Sequence, residues 1–485
     1  MVDSFRERVV AGAIWALAQS WGGKLASFVI FSVLVRIVSP SEVGTVAAGV
    51  AVIALMDILI DQGLSDALVQ KQQQNENHLS TVFFASIAVG CLLAGVLWMS
   101  APGIASAANM PELKDVLRAL CFSMPITALG ICPFSIMRRK LQYRKLAIRY
   151  LASTLISGGL GISLAVFNYG VWSLVAQALC ASFLNTIIVW IGASWRPSSR
   201  VSLDILRELY RYGIGVTSSR ILHYLGTKSI ELLIGYFLGP VTLGIFSVAA
   251  RVYQVMLQLL SSSLFDVSLS AFSAISTDVQ RVRAAYFKGV GISALLATPT
   301  FIGVAALSTE ICRVIFGDRW SEAGDILCIF SLLGAIQSIE YHNVSLLKAL
   351  GRTDCDVWVN LAKAISTLTA FACSYRFGLV AVATSILISG VVTLPLSYYF
   401  LSAIAGISGR SVFLRIKGCI ASCVIMFGVA RGIAVLPVMG IIGPTPTLVI
   451  LTTTSIVVYF ILLRIFDKDQ TDLAWNLFRK IRLAS

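Results

Sequence analysis

Apolar runs of membrane-spanning length recur along the whole chain. Residues 11–38, 79–106 and 170–194 are examples, each at or above the roughly 20 residues that a helix needs to cross hydrocarbon. Short polar connections separate them. The pattern predicts an all-α polytopic membrane protein of about fourteen spans, beginning near Val10, Val43, Leu79, Glu112, Leu146, Gly170, Leu209, Leu243, Val282, Glu322, Cys355, Phe377, Ser411 and Leu436. Pro125 and Pro133 in span four, Pro299 in span nine and Pro395 in span twelve are expected to kink their helices. Gly22-Gly23 gives span one a place to bend.

Two stretches repeat at nearly one offset. Ser39-Pro40-Ser41-Glu42-Val43-Gly44 ends the first connection, and Gly239-Pro240-Val241-Thr242-Leu243-Gly244 follows 200 residues later. Asn168-Tyr169-Gly170-Val171 precedes span six, and Arg376-Phe377-Gly378-Leu379 precedes span twelve, 208 residues on. The spacing implies a duplicated six-helix unit. Six is even, so both copies enter the membrane in the same direction, a parallel-repeat transporter architecture with the substrate path between halves. The predicted organisation is an N-lobe over residues 1–200, a C-lobe over 201–405, two further spans over 406–466 and a tail over 467–485. In the tail, Leu473, Leu477, Phe478 and Ile481 share one helical face, with Arg479, Lys480 and Arg482 around it. That is the pattern of an amphipathic helix lying on a membrane surface.

Composition agrees with the pattern. Of 485 residues, 57% are hydrophobic and 13% charged, about half the charge of an average soluble domain. The net charge of +14 reflects cationic loops rather than nucleic-acid binding, for which no soluble stretch is long enough. Lys and Arg concentrate at the N-terminus, the even-numbered loops and the tail, most densely at Arg138, Arg139, Lys140, Arg144 and Lys145. That asymmetry predicts both termini in the cytoplasm. Arg6 and Arg8 precede a run too long for a cleaved signal, which is read as a retained first span. Ten scattered cysteines contain no CxxC, and His78, His223 and His342 are isolated in the sequence. No disulfide framework, metal site or cofactor is indicated.

The informative residues are charges inside the spans. Each costs at least about 2.5–3.5 kcal/mol at the centre of a membrane helix, so each is expected to face a bundle interior or a watery cavity. Lys24 lies in span one, Asp57 and Asp61 in span two, Arg220, Lys228 and Glu231 in span seven, Arg251 in span eight and Lys363 in span eleven. Asp57 and Asp61 are four apart and share a helix face; Lys228 and Glu231 are three apart and can pair. Spans one, two, seven and eight are equivalent helices of the two copies, which favours a shared cavity lining. The bland reading, in which Lys24 and Asp57 merely neutralise each other in a packed helix pair, stands beside it. For Asp66, Arg36 and Arg149, near span ends, simple interfacial placement suffices. Five cations (Lys24, Arg220, Lys228, Arg251, Lys363) stand against three carboxylates (Asp57, Asp61, Glu231). A modestly positive cavity suits an anionic ligand.

Several short motifs stand in a fixed order: Arg36, Pro40 and Gly44; Asp61-Gln62-Gly63-Leu64 with Ala67-Leu68-Val69-Gln70; and Leu238-Gly239, Leu243-Gly244 and Ala250-Arg251. Phe316-Gly317-Asp318-Arg319-Trp320 and Lys348-Ala349-Leu350-Gly351-Arg352-Thr353-Asp354 complete the set. In these motifs, from about Ala11 to Leu401, the chain resembles the Wzx-type polysaccharide flippases, the polysaccharide transport branch of the multidrug/oligosaccharidyl-lipid/polysaccharide exporter superfamily. Asp266, after Phe265, departs from similar proteins, which often have proline there. The resemblance implies two six-helix lobes around a central cavity, alternating access and no enzymatic chemistry. It also implies a substrate, an oligosaccharide repeat unit on undecaprenyl pyrophosphate moved across the bacterial inner membrane. A polysaccharide polymerase and chain-length machinery are the assembly partners it suggests, besides membrane lipid. On this reading Lys24, Arg220, Lys228, Arg251 and Lys363 meet the pyrophosphate. Asp57, Asp61 and Glu231 balance those cations or carry a coupling ion.

Two other classes compete. A multidrug exporter of the same superfamily would share the fold, although lipophilic cations suit a negative lining better. A membrane-bound polymerase or ligase usually carries a long outer loop; the longest here is expected over residues 308–321, too short for that class.

Overall fold

A computed structural model describes residues 21–70, 76–140, 142–193, 195–198, 201–436 and 442–467. The amphipathic tail expected over 468–485 lies outside the described residues. Among the described residues every regular element is helical. Twelve helical stretches are long and apolar enough to cross a membrane. One of them, Gly213–Leu260, has 48 residues, enough for two crossings at about 1.5 Å per residue. Helix α1 (residues 21–37) falls in the first predicted span. Together these are consistent with fourteen spans. The protein is a multi-pass membrane protein.

Contacts divide the chain into two units, Met1–Ser247 and Val248–Ser485. The first begins with α1, then α2 (Pro40–Asp61), α3 (Leu64–Gln70) and α4 (Glu76–Ala107). It continues through α5 (Leu113–Leu120), α6 (Ser123–Arg139), α7 (Tyr143–Val166), α8 (Val171–Gly192) and α9 (Leu203–Thr227), and ends within α10 (Ser229–Leu260). The start of α2 is specified locally. Ser39 and Glu42 form a reciprocal capping box, and Pro40 occupies the first turn, where its missing N–H costs nothing. Span four is interrupted between α5 and α6, at Cys121 and Phe122, just ahead of Pro125. Pro133 lies within α6 and the helix runs through it. The core of this unit includes Leu64, Leu68, Val82, Phe83 and Leu209, with Phe83 edge-on to Trp190 and Trp195.

The second unit takes the rest of α10, then α11 (Ser262–Ala274), α12 (Val279–Ala306), α13 (Ser308–Phe316) and α14 (Ala323–Ala349). It closes with α15 (Thr353–Ser374), α16 (Leu379–Ala405), α17 (Gly409–Ala434) and α18 (Pro444–Phe466). Helix α11 continues through Asp266, so the departure from proline there leaves the backbone helical. Residues 308–321, expected as a loop, form α13 and a short 3-10 turn whose Trp320 is fully buried. Helices α12 and α18 frame a core holding Tyr286, Val290, Leu346, Leu401, Cys419 and Tyr459.

The sequence repeats recur as geometry. Pro240 restarts the helix after Gly239, whose φ of 85° breaks α10, as Pro40 starts α2. Gly170 and Gly378 each cap the helix that follows, α8 and α16, at φ of 52° and 91°, a region that favours glycine. The division into six-helix lobes is a reading of these repeats. By contact, α9 and the first part of α10 group with α2, α3 and α4.

Candidate functional site

Helix α2 is held at both ends by backbone meeting backbone. A Cβ on Gly44 would overlap the carbonyl oxygen of Pro240, and a Cβ on Gly244 would overlap that of Pro40. The contact is reciprocal, as expected for a crossing between two copies of one motif. At the other end α2 unwinds through Gln62 and Gly63, at φ of 48° and 68°. There a Cβ on Gly63 would lie 2.7 Å from the carbonyl oxygen of Gly213, and one on Gly213 would overlap that of Gln62. Gly44 and Gly63 are 19 residues apart, about 28 Å along a helix, close to the thickness of hydrocarbon. Between the crossings Tyr224 donates to the Ala51 carbonyl at 2.7 Å.

The expected charges group beside the Gly63 crossing. Arg220 of α9 forms ion pairs with Asp61 and, at 2.7 Å, with Asp66. Arg138 of α6 holds the other oxygen of Asp66 at 3.0 Å. Asp61 also accepts from Ser65, whose hydroxyl donates at 2.9 Å. Two carboxylates and two guanidiniums thus tie α2, α3, α6 and α9 together with no net charge. Asp66, read from the sequence as interfacial, and Arg138, read as a loop cation, belong to this cluster. One turn before Asp61, the Oδ1 of Asp57 is buried without a hydrogen-bond partner.

Lys228 sits at the junction of α9 and α10 and pairs with Glu231 at 2.5 Å, the i,i+3 contact expected from the spacing. Glu231 is buried. Lys24 on α1 and Arg251 on the later part of α10 are both half-buried. Lys363 of α15 pairs at 2.9 Å with Glu340 of α14. Sequence reasoning missed Glu340, although the same insertion-cost argument applies to a glutamate in mid-span. With it, the five span cations face four carboxylates rather than three. The structure therefore brings together Asp61 with Arg220, Lys228 with Glu231, and Lys363 with Glu340. It leaves Asp57 unpaired at one oxygen.

Helix α14 carries further polar groups. Its Gln337 accepts from Tyr253 at 2.6 Å. His342 lies between the hydroxyls of Ser268 and Ser293, at 3.0 and 2.7 Å. Asn343 accepts from Tyr286 at 2.6 Å and donates to Ser397 at 3.2 Å. Every one of these side chains except Tyr253, Gln337 and Lys363 is buried below a tenth exposure. Among the described residues no His, Cys, Asp or Glu group could hold a metal ion.

A family of polysaccharide biosynthesis proteins matches residues 33–325, more than half of the chain. The chain belongs to this family. The match covers both glycine crossings and the Asp61–Arg220 cluster. Within the wider set of relatives, the succinoglycan biosynthesis transport protein ExoT of Rhizobium meliloti (strain 1021) is 26% identical over 74% of this chain and 72% of its own length. The lipopolysaccharide biosynthesis protein WzxC of Escherichia coli (strain K12) is 22% identical over 85% of each. Among solved structures, a lipid II flippase MurJ in an inward closed conformation superposes with a TM-score of 0.76. It is 16% identical, with 94% of this chain and 99% of that one covered. An inward-facing multidrug-resistance MATE transporter gives a TM-score of 0.55 at 14% identity, covering 83% and 94%. These likenesses show that the chain shares the fold of those two transporters.

Proposed function

We propose that the protein moves undecaprenyl-pyrophosphate-linked oligosaccharide repeat units from the cytoplasmic to the periplasmic leaflet of the bacterial inner membrane. It does so by alternating access, as a transporter without catalytic chemistry, for synthesis of a surface polysaccharide. Family membership carries the reading, because relatives along most of the chain are named for the synthesis or transport of such polymers. A multidrug exporter shares the fold, but those relatives do not carry that name. The pyrophosphate is met by Lys24, Arg220, Lys228, Arg251 and Lys363. In the state described, Arg220, Lys228 and Lys363 are occupied by internal carboxylates. The headgroup therefore competes with Asp61, Asp66, Glu231 and Glu340 for them. Asp57 either balances Lys24 or carries a coupling ion. On this reading both termini are cytoplasmic, which puts the Gly44 crossing at the periplasmic end of α2 and the Arg220 cluster at the cytoplasmic end. The polymerase and chain-length machinery take up the product outside.

The test is a deletion strain. Lipid-linked oligosaccharide should accumulate on the cytoplasmic side and surface polysaccharide should disappear, both restored by the wild-type gene. A stable Lys24→Ala, Arg251→Ala double variant that exports normally would remove the headgroup from these cations. Each charged contact of this kind contributes roughly 1.5–3 kcal/mol, so losing one should weaken binding about ten- to a hundredfold. Orientation is tested by single cysteines in a background without the native ones. Asn168→Cys should react with an impermeant thiol reagent from outside, and Gln142→Cys should not.

A further inference from the structure

The Lys363–Glu340 pair differs from the Arg220 and Arg138 pairs, and shares with Lys228–Glu231 a carboxylate far less exposed than its cation. Arg220 and Arg138 are each about a third exposed or more, so their carboxylates can exchange partners with water present. Glu340 is 7% exposed at its side chain, and Lys363 is 28% exposed. The cation can be reached and the carboxylate cannot. Several uncharged groups lie around Glu340. Gln337, one turn away on α14, is engaged by Tyr253 of α10. The phenols of Tyr253, of Tyr341 on α14 and of Tyr398 on α16 lie within reach of its field. His342 of α14 has each ring nitrogen on a serine hydroxyl, from α11 and from α12. Tyr286 of α12 donates to Asn343. None of these offers a second cation to replace Lys363.

An anion that draws Lys363 away would leave Glu340 ionised, buried and unpaired. Such a charge is neutralised by binding a proton rather than kept. We infer that Glu340 is a proton-binding site linked to the cargo: it holds Lys363 as a carboxylate when the site is empty, and takes up one proton when the pyrophosphate takes over the ammonium. The step balances. The Lys363 Nζ–H to Glu340 Oε2 hydrogen bond breaks, a phosphate oxygen accepts that N–H, and a proton from water bonds to the Glu340 carboxylate. Release of the anion runs the step backwards and frees the proton. Linkage makes the effect reciprocal, so a lower pH strengthens anion binding and bound anion strengthens proton binding. This rests on the headgroup reading above, and the experiment separates the two.

The probe is undecaprenyl pyrophosphoryl N-acetylglucosamine, a pyrophosphate diester without an oxygen that titrates near neutrality. Its affinity for the full-length protein in detergent is measured from about pH 5 to 8, between an ordinary carboxyl and a buried unpaired one. One linked proton means up to about a tenfold gain in affinity for each unit that pH falls. Glu340→Gln should bind the probe with that slope lost, whereas Asp354→Asn, at an exposed carboxylate, should keep it. A flat wild-type profile, or a Glu340→Gln variant with the full wild-type slope, would overturn the inference. A second measurement needs no cargo. Infrared spectra of Lys363→Met should show a protonated carboxyl band at neutral pH that vanishes in Lys363→Met, Glu340→Gln. Should the probe bind no variant, the headgroup reading falls, and this band alone decides: its presence supports Glu340 as the proton site and its absence refutes it.

Discussion

The Arg220 cluster and the polar ladder of α14 are both built from groups that hydrocarbon disfavours, yet they are arranged in opposite ways. Around Asp61 and Asp66 the partners are charged, shared between two arginines, and partly open to water. They lie where α2 unwinds and its backbone touches that of α9. On α14 the partners of His342 and Asn343 are neutral and buried, and each of the two side chains bonds a pair of them. An exposed shared ion pair adds little to stability and can be exchanged cheaply. A buried neutral network stabilises only while every member is satisfied. The contrast assigns different duties. The cluster suits a junction that opens, and the ladder suits a support that stays fixed while Glu340 at its edge changes partner.

The contrast can be broken by substitution. The largest effect is expected at the crossing at the far end of α2 from the cluster. Gly44→Ala or Gly244→Ala places a methyl on a carbonyl oxygen, so the helices must move apart. Overpacking of this kind costs about 1–3 kcal/mol and sometimes more, and the upper end is expected because the obstacle is backbone. The midpoint of thermal unfolding in detergent should fall and export should be lost. Next comes the ladder. Asn343→Leu removes the acceptor of the Tyr286 hydroxyl and the donor to Ser397, and should cost about 1–3 kcal/mol, read by the same unfolding assay, while residual export continues at low temperature. The smallest change in stability is expected at the cluster itself. Asp66→Asn, at a carboxylate 28% exposed, should cost less than about 1 kcal/mol. It should nevertheless change the rate of export in cells, because Arg220 and Arg138 lose a shared partner. An Asp66→Asn variant less stable than Asn343→Leu would reverse the assignment of duties.

Much of this fold is legible in the residues alone. Span number follows from apolar run length, because membrane-spanning helices leave few alternatives. The duplication is visible in two motifs, and each is a backbone signal: proline at a helix start, or glycine at a positive φ. Lys228 with Glu231 follows from helical spacing. Other features depend on which helices are neighbours, and spacing is silent about that. Arg220 and Asp61 are 159 residues apart, and Lys363 and Glu340 lie on different helices. Asp66 looks interfacial and Arg138 looks like a loop cation, because position along the chain says nothing of lateral contacts. His342 looks isolated for the same reason: its two serine partners come from α11 and α12. Proline content places the kinks of span four at Pro125 and Pro133, whereas the helix breaks just before Pro125 and absorbs Pro133.

The crossings at Gly44 and Gly244 also constrain genetics. A bulky side chain in a core can be accommodated when its neighbour is trimmed, so intragenic suppressors commonly arise at the touching residue. Here the touching atoms are the carbonyl oxygens of Pro40 and Pro240, and every amino acid carries that oxygen. No replacement at position 40 or 240 can make room for a methyl. Revertants of Gly44→Ala should therefore map to residues that set the separation of the two helices, or restore glycine itself.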